Sequence, residues 1–199
     1  MSNFTDFFPA ASGGGGGGIP KYQDFTSSGT FTPTQALIDA GGRVAYFAVG
    51  GGQRGGDTYN SDYRYGGAGG HIKSGYVTLN ATTGCAVTIG AGGTSNGSGG
   101  GNTTIAFNSA GGTAITANGG SGGSYSSSGA AGGQRANSGS NQNNASAQSG
   151  TIGYGMGGAS YVSATEVSPG IHSPIANTGS GSANGNNAAA GFVRITWFE

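Results

Sequence analysis

The chain has 199 residues, of which 47 are Gly, and its seven basic and seven acidic side chains leave no net charge. Cations that few and that scattered make no footprint for nucleic-acid phosphates and no polybasic membrane patch. The single cysteine, Cys85, excludes an intrachain disulfide, and the longest apolar run, Val44 to Val49, is far too short to span a bilayer.

Residues 1–12 stand apart, with Phe4, Phe7 and Phe8 crowded into the first eight positions. Left in water these rings are a liability. They read as an aromatic plug that docks on a partner, or as a terminus that packs on its own domain. Gly13 to Gly18 follow as a hexaglycine linker, flexible for want of side chains. Residues 19–199 then form the body.

The body begins as β structure. Phe25-Thr26-Ser27-Ser28-Gly29-Thr30-Phe31-Thr32 reads as a strand broken by a glycine bulge or turn, and Pro33 stops it. Arg43 to Val49 is a β-branched and aromatic run. Shorter runs repeat the theme at Tyr76–Leu79, Ala86–Ile89, Thr103–Phe107 and Thr113–Thr116, each alternating apolar residues with Thr or Ala. That is the period of a half-buried strand. The closing run Phe192 to Phe198 puts Val193, Ile195 and Trp197 on one face. No significant α-helix is expected, because glycine costs about 1 kcal/mol against alanine in a helix interior.

Glycine clusters separate the strands, at 50–56, 66–70, 90–93, 119–123 and 153–158. A three-residue spacing recurs in them: Gly66 with Gly69, Gly67 with Gly70, and Gly120, Gly123, Gly129 and Gly132 on one register broken by Ser126. Three residues per turn is the period of a polyproline-II-type helix, which makes no hydrogen bonds to itself. Its amides must find neighbours or water. Segments without side chains approach closely enough to bond backbone to backbone. The fold expected is therefore all-β with polyglycine-II helices: short strands plus packed glycine-rich extended segments. Collagen fails, since five Pro and irregular spacing do not make its period. Plain disorder is the competing reading for the Ser, Asn, Gln and Gly tract at 121–149.

Little here points to catalysis. Gly153-Tyr154-Gly155-Met156-Gly157-Gly158 matches GxGxxG by letter, but no helix follows and no acidic residue stands about 20 positions on. No cofactor is expected. His71, His172 and Cys85 are too dispersed for a zinc set. Cys85, in Gly84-Cys85-Ala86-Val87, reads as a small buried apolar residue. Asp57 and Asp62 are the only carboxylates close in sequence, and read as solvated loop charges. The richest stretch is Asp57-Thr58-Tyr59-Asn60-Ser61-Asp62-Tyr63-Arg64-Tyr65. Tyrosine and arginine combine rigid faces with polar tips and dominate binding hot spots. Tyr59, Asp62, Tyr63, Arg64 and Tyr65 are thus the candidate receptor-binding residues; the alternative is that the rings cover an edge or a subunit contact. Tyr125, Tyr154, Tyr161 and His172 are weaker candidates.

The motif order carries a resemblance. Phe25-Thr-x-x-Gly-Thr-Phe31, the run ending Val49-Gly50-Gly51-Gly52-x-x-Gly55-Gly56, Gly66-Gly67-Ala68-Gly69-Gly70, Val87-Thr88-Ile89-Gly90-Ala91-Gly92-Gly93, Gly157-Gly158-Ala159-Ser160 and Ala190-Gly191-Phe192-Val193-Arg194-Ile195-Thr196-Trp197 follow one another through residues 22–199. This resembles the glycine-rich domains of bacteriophage tail fibre and receptor-binding (adhesin) proteins. The resemblance implies a non-enzymatic virion protein whose polyglycine-II body carries receptor-binding loops. It also implies a homotrimer, with residues 1–12 on other tail or baseplate proteins and a bacterial surface glycan or protein as receptor. The glycine runs here are shorter than in the chaperone-matured tip adhesins, and the aromatic N-terminus favours a self-attached fibre. The N-terminus lacks the basic and apolar regions of a signal peptide, so synthesis in the host cytoplasm and release in the virion are expected. A purely structural fibre is the runner-up. An ice-binding protein is the rival from another class, since flat neutral glycine faces order water.

Overall fold

A computed structural model of the chain describes residues 18–57, 64–65, 67–108, 112, 114–121, 125–126, 129–130, 176–179, 181–182 and 187–199. In chain order the elements are β1 (Pro20–Phe25), β2 (Gly29–Phe31), α1 (Gln35–Asp39), β3 (Arg43–Val49), β4 (Gly56–Asp57), β5 (Arg64–Tyr65), β6 (Ile72–Thr78), β7 (Cys85–Thr88), β8 (Thr103–Ala106), β9 (Ala114–Ala117), β10 (Tyr125–Ser126), β11 (Gly129–Ala130) and β12 (Phe192–Phe198). Among the described residues the regular structure is almost all strand, with one short helix, as the sequence leads one to expect.

Two four-stranded antiparallel sheets, β1-β12-β3-β6 and β2-β7-β8-β9, share one core. The alternation read from Phe192 to Phe198 is realised: Val193 and Ile195 are 0% exposed and Trp197 9%. They pair with Ala48, Tyr46 and Val44 of β3. Opposite them, Phe31, Cys85, Val87 and Ile105 close the core from the second sheet. The Phe31 and Trp197 rings meet edge to face at 5.2 Å. Each large apolar side chain buried this way contributes roughly 1.5–3 kcal/mol.

The break expected at Gly29 lies one step earlier. Thr26, Ser27 and Ser28 form the bend, and Gly29 opens β2, which pairs with β7 in the other sheet. The sequence reading also passed over α1. Thr34 caps it by accepting the Leu37 amide at 3.1 Å, and Leu37 anchors it in the core at 1% exposure. Gly42, at φ +66°, ends this turn, and a Cβ there would sit 2.0 Å from the Leu79 carbonyl oxygen.

Cys85 is buried as expected, and burial raises its thiol pKa. The thiolate is the reactive form. Cys85 in the folded protein therefore resists thiol reagents and reacts only in denaturant; prompt labelling in native buffer would place the thiol at the surface.

Beyond the sandwich, strands run on as glycine-rich segments. β3 continues into 50–55, β7 into 90–93 and β9 into 118–121, while 67–71, 97–101 and 187–191 lead into β6, β8 and β12. A seventh segment, 178–182 with 180 outside the described residues, joins them. Segment 50–55 lies at the centre. Its amides turn from neighbour to neighbour with a step of three. Gly50 and Gln53 donate to His71 and Ala68 (2.9 and 2.7 Å), Gly51 and Arg54 to Gly101 and Ser98 (2.9 and 3.0 Å), and Gly52 to Ala189 (2.9 Å). Its carbonyls accept from the three remaining neighbours: Gly51 from Gly120 (2.7 Å), Gly52 from Gly93 (2.9 Å) and Gln53 from Ser182 (3.1 Å).

The six outer segments are also bonded to one another in a closed ring. Gly67 and Gly70 donate to Ser182 and Gly179, Gly179 to Ala190, and Ala188 and Gly191 to Gly93 and Gly90. Gly101 donates to Ala91, Gly100 to Gly120, and His71 to Asn118, which returns to the starting segment. Side chains would forbid this spacing. A Cβ on Gly67 would lie 1.7 Å from the Gln53 carbonyl oxygen.

Candidate functional site

The two ends of the body differ. At one end, Ile19 and Glu199 bond each other's backbone, and Lys21 and Thr34 hold the Glu199 carboxylate. Those two bonds, that to Lys21 first, keep the carboxyl below the usual glutamate range. Gly18 sits beside them, with a built Cβ 3.1 Å from the Glu199 amide nitrogen. Residues 1–17, and with them Phe4, Phe7 and Phe8, lie outside the described residues.

At the other end the chain leaves the central segment after Gly55 and returns at 67. The backbones of β4 and β5 pair antiparallel there, Gly56 with Tyr65 and Asp57 with Arg64. Tyr59, Asp62 and Tyr63 lie outside the described residues. Arg64 and Tyr65 are placed by their backbones only. The structure thus places the β4–β5 pair at the distal end of the block, where the central segment ends. Tyr154, Tyr161 and His172 also lie outside the described residues, and Tyr125 is placed by its backbone in β10, paired with β11.

The described side chains at this end are ones the sequence reading did not single out. Gln53, 5% exposed, fastens two segments: its Nε2 donates to the Gly97 carbonyl at 3.1 Å and its Oε1 accepts the Ala68 amide at 3.2 Å. Arg54 is half-buried. Its Nη1 donates to the Thr94 carbonyl and faces Asn187 Oδ1 at 3.5 Å. Gly97 and Ser98 complete the turn, with Gly97 donating to Gly55 at 3.3 Å and Ser98 to Ser95 at 2.9 Å. The signal available in the sequence was a pair of long polar side chains interrupting a glycine run.

Further polar groups serve the frame. Thr103, fully buried, accepts the Gly90 amide at 3.0 Å where sheet passes into block. Asn102 Oδ1 accepts the Gly119 amide at 2.9 Å. Burial, helped by Lys73, lowers the His71 pKa and keeps the ring neutral beside the block. On the outer face of the first sheet, Arg194 grips Asp24 through Nε and Nη2 at 2.6 and 2.7 Å and lies 4.9 Å from the Tyr22 ring centre. That bidentate bond raises the Arg194 pKa. Arg43 lies 4.5 Å from the Tyr76 ring centre. These contacts cover exposed rings on the sandwich, away from the distal end.

Among the described residues no cluster of His, Cys, Asp and Glu could hold a metal, and no helix is long and apolar enough to cross a membrane. No protein-family model matches the chain, and neither does any curated protein or solved structure.

Proposed function

We propose that this chain is a structural virion protein of a bacteriophage tail, a fibre or adhesin that meets the host surface without covalent chemistry. In this reading the seven-segment block is a polyglycine-II array. The step of three in the bonding of segment 50–55 supports it, as does a ring of six neighbours that, along Gly50 to Arg54, alternately accept from the central segment and donate to it. Such an array is a neutral, rigid spacer in which backbone amides do the work that side chains do in an ordinary core.

Polarity is the observation that carries the functional reading. Gly18 and Glu199 lie together at the sandwich end, and the β4–β5 pair lies at the block end. A seven-residue strand followed by a five- or six-residue extended segment separates them by roughly 40 Å. Gly18, which the attachment segment precedes in sequence, at one pole and the strand pair that brackets the Tyr- and Arg-rich stretch at the other suit a molecule that bridges two surfaces. Residues 1–12 dock on tail or baseplate proteins, the loop contacts a bacterial surface glycan or protein, and the expected assembly is a homotrimer.

Immunogold labelling of phage particles from the lysate that contains the protein tests this. Label on the tail is expected; unlabelled particles, with the chain left in the soluble fraction, overturn it. On labelled particles, replacing Tyr59, Tyr63 and Tyr65 together by Ala lowers adsorption to host cells by about tenfold or more. Unchanged adsorption removes the loop from the contact and leaves a purely structural fibre.

A further inference from the structure

The outer face of the first sheet gathers aromatic rings. Because Val193, Ile195 and Trp197 face the core, Arg194, Thr196 and Phe198 turn outward. Register carries that side across the sheet: Thr196 pairs with Tyr22 of β1 and with Ala45 of β3, and Ala45 pairs with Tyr76 of β6. Tyr22 is 67% exposed and Tyr76 49%. This row has a large ring on each edge strand and two small side chains between them. It is a shallow trough roughly 14 Å wide. Phe198 flanks its floor on one side, and Phe47, paired with Arg194, on the other. Arg194 and Arg43 stack on the two Tyr rings at 4.9 and 4.5 Å and steady the walls. Ile19, Tyr22, Tyr76 and Phe198 are the large hydrophobic side chains exposed among the described residues, and the last three share this face. Apolar surface gathered in this way marks a contact.

The chain brings an occupant to the corner of that face. A Cβ built on Gly18 lies 3.3 Å from the Phe198 Cβ, and Ile19 bonds the Glu199 backbone beside it. Phe4-Thr5-Asp6-Phe7-Phe8 precedes this point in sequence, and Gly18 stands ten positions after Phe8. A flexible tether of that length has a root-mean-square span of roughly 17–19 Å. The floor of the trough is nearer, with Thr196 and Ala45 roughly 7–8 Å from Phe198. A tether that covers its gap holds its end at an effective concentration of about millimolar, which a separate partner at micromolar concentration does not match. The chemistry agrees as well. Three rings meet rings, and Asp6 brings an acid to a face that carries Arg43.

We propose that residues 4–8 dock on this face in the free protein, with Phe7 and Phe8 in the trough between Tyr22 and Tyr76. One contact then covers two apolar surfaces that water disfavours. The inference goes beyond the virion reading and does not depend on it. Within that reading, the segment exchanges its own sheet for a tail protein at assembly.

Disulfide trapping in the full chain tests the proposal. Phe7→Cys is combined either with Ala45→Cys, on the trough floor, or with Ala106→Cys, exposed on the outer face of the second sheet. The extended tether, at roughly 3.3 Å per residue, reaches both places. The native Cys85 is buried and does not compete. Under mild oxidation in dilute solution, the Ala45→Cys pair is expected to close within one chain about tenfold faster or more than the Ala106→Cys pair. Equal rates overturn the proposal. Bridges between two chains assign the face to a second copy and overturn it too. Dye binding gives a second reading, in which Phe4, Phe7 and Phe8 are replaced together by Ser. Removing docked rings uncovers the trough, so fluorescence of the apolar-surface dye ANS rises about twofold or more at unchanged circular dichroism. Rings that stand in water bind the dye themselves, so a fall or no change overturns the proposal. Should the triple variant fail to fold, the trapping rates decide. Both measurements use the isolated protein, whereas tail labelling bears on the virion reading alone, so each fails without the other.

Discussion

Replacing Gly100 by Ala is expected to destabilise the protein by more than about 4 kcal/mol, while the same change at Gly99 stays within about 1 kcal/mol of the parent. The two residues are neighbours, and neither sits in the left-handed region that excludes side chains. Alanine suits both backbones, and by restricting the unfolded chain it even contributes a few tenths of a kcal/mol to stability. What differs is space. At Gly100 a Cβ would lie 2.0 Å from the carbonyl oxygen of Gly51, 2.3 Å from its carbon and 2.7 Å from the Gly52 oxygen. Those are backbone atoms of the central segment and cannot rotate aside. Relief requires the two segments to part, breaking the bonds from Gly51 to Gly101 and from Gly100 to Gly120 and disturbing the ring they close. At Gly99 the only near atom is the Gly120 oxygen at 3.3 Å, and the residue is exposed. Urea unfolding of the two variants measures the difference, read as a shift in midpoint at unchanged slope. Equal midpoints would mean that segments 50–55 and 97–101 do not approach each other as described.

That contrast also shows where a sequence stops being informative. The strands were legible from their side chains: Arg43–Val49 lies where its β-branched and aromatic run put it, Phe192–Phe198 lies where alternation put it, and Val193, Ile195 and Trp197 face the core. The three-residue step was legible where glycines repeat it, as at Gly67 and Gly70, which both donate to segment 178–182. It was hidden in the central segment, because Gln53 and Arg54 interrupt the run yet keep the same backbone bonds. Which glycine is required depends on the segment that passes beside it, and Gly99 and Gly100 are identical by letter. The short helix α1 escaped because five residues are too few for an apolar period; its cap, Thr34, was the available sign. Arg54 escaped because a lone arginine among glycines reads as a solvated charge until its neighbours are known. The rings on which the binding reading leans, Tyr59 and Tyr63, fall outside the described residues.

Amide hydrogen exchange should find the slowest protons of the block at Gly50, Gly51, Gly52, Gln53 and Arg54, protected at least about a thousandfold over a free peptide. Glycine-rich segments ordinarily exchange fast, since nothing in a glycine side chain shields the amide and the entropy regained on opening is the largest of any residue. Here each of these five amides donates to a carbonyl at 2.7–3.0 Å in one of three other segments. No single neighbour can leave and free them all. Exposing them means dismantling the ring, and because six of the seven segments are continuous with the strands of the sandwich, the ring cannot open while the sheets stay intact. The central amides are therefore expected to exchange through global unfolding, with the same free energy as Val44 and Ile195 in the core. Gly99, exposed on the outer ring and offering no backbone bond, is the internal reference and should exchange near the free-peptide rate. If residues 50–54 exchanged as fast as Gly99, the block would be a set of loose tails on a β-sandwich. A tip held roughly 40 Å from its attachment point would then have no rigid support.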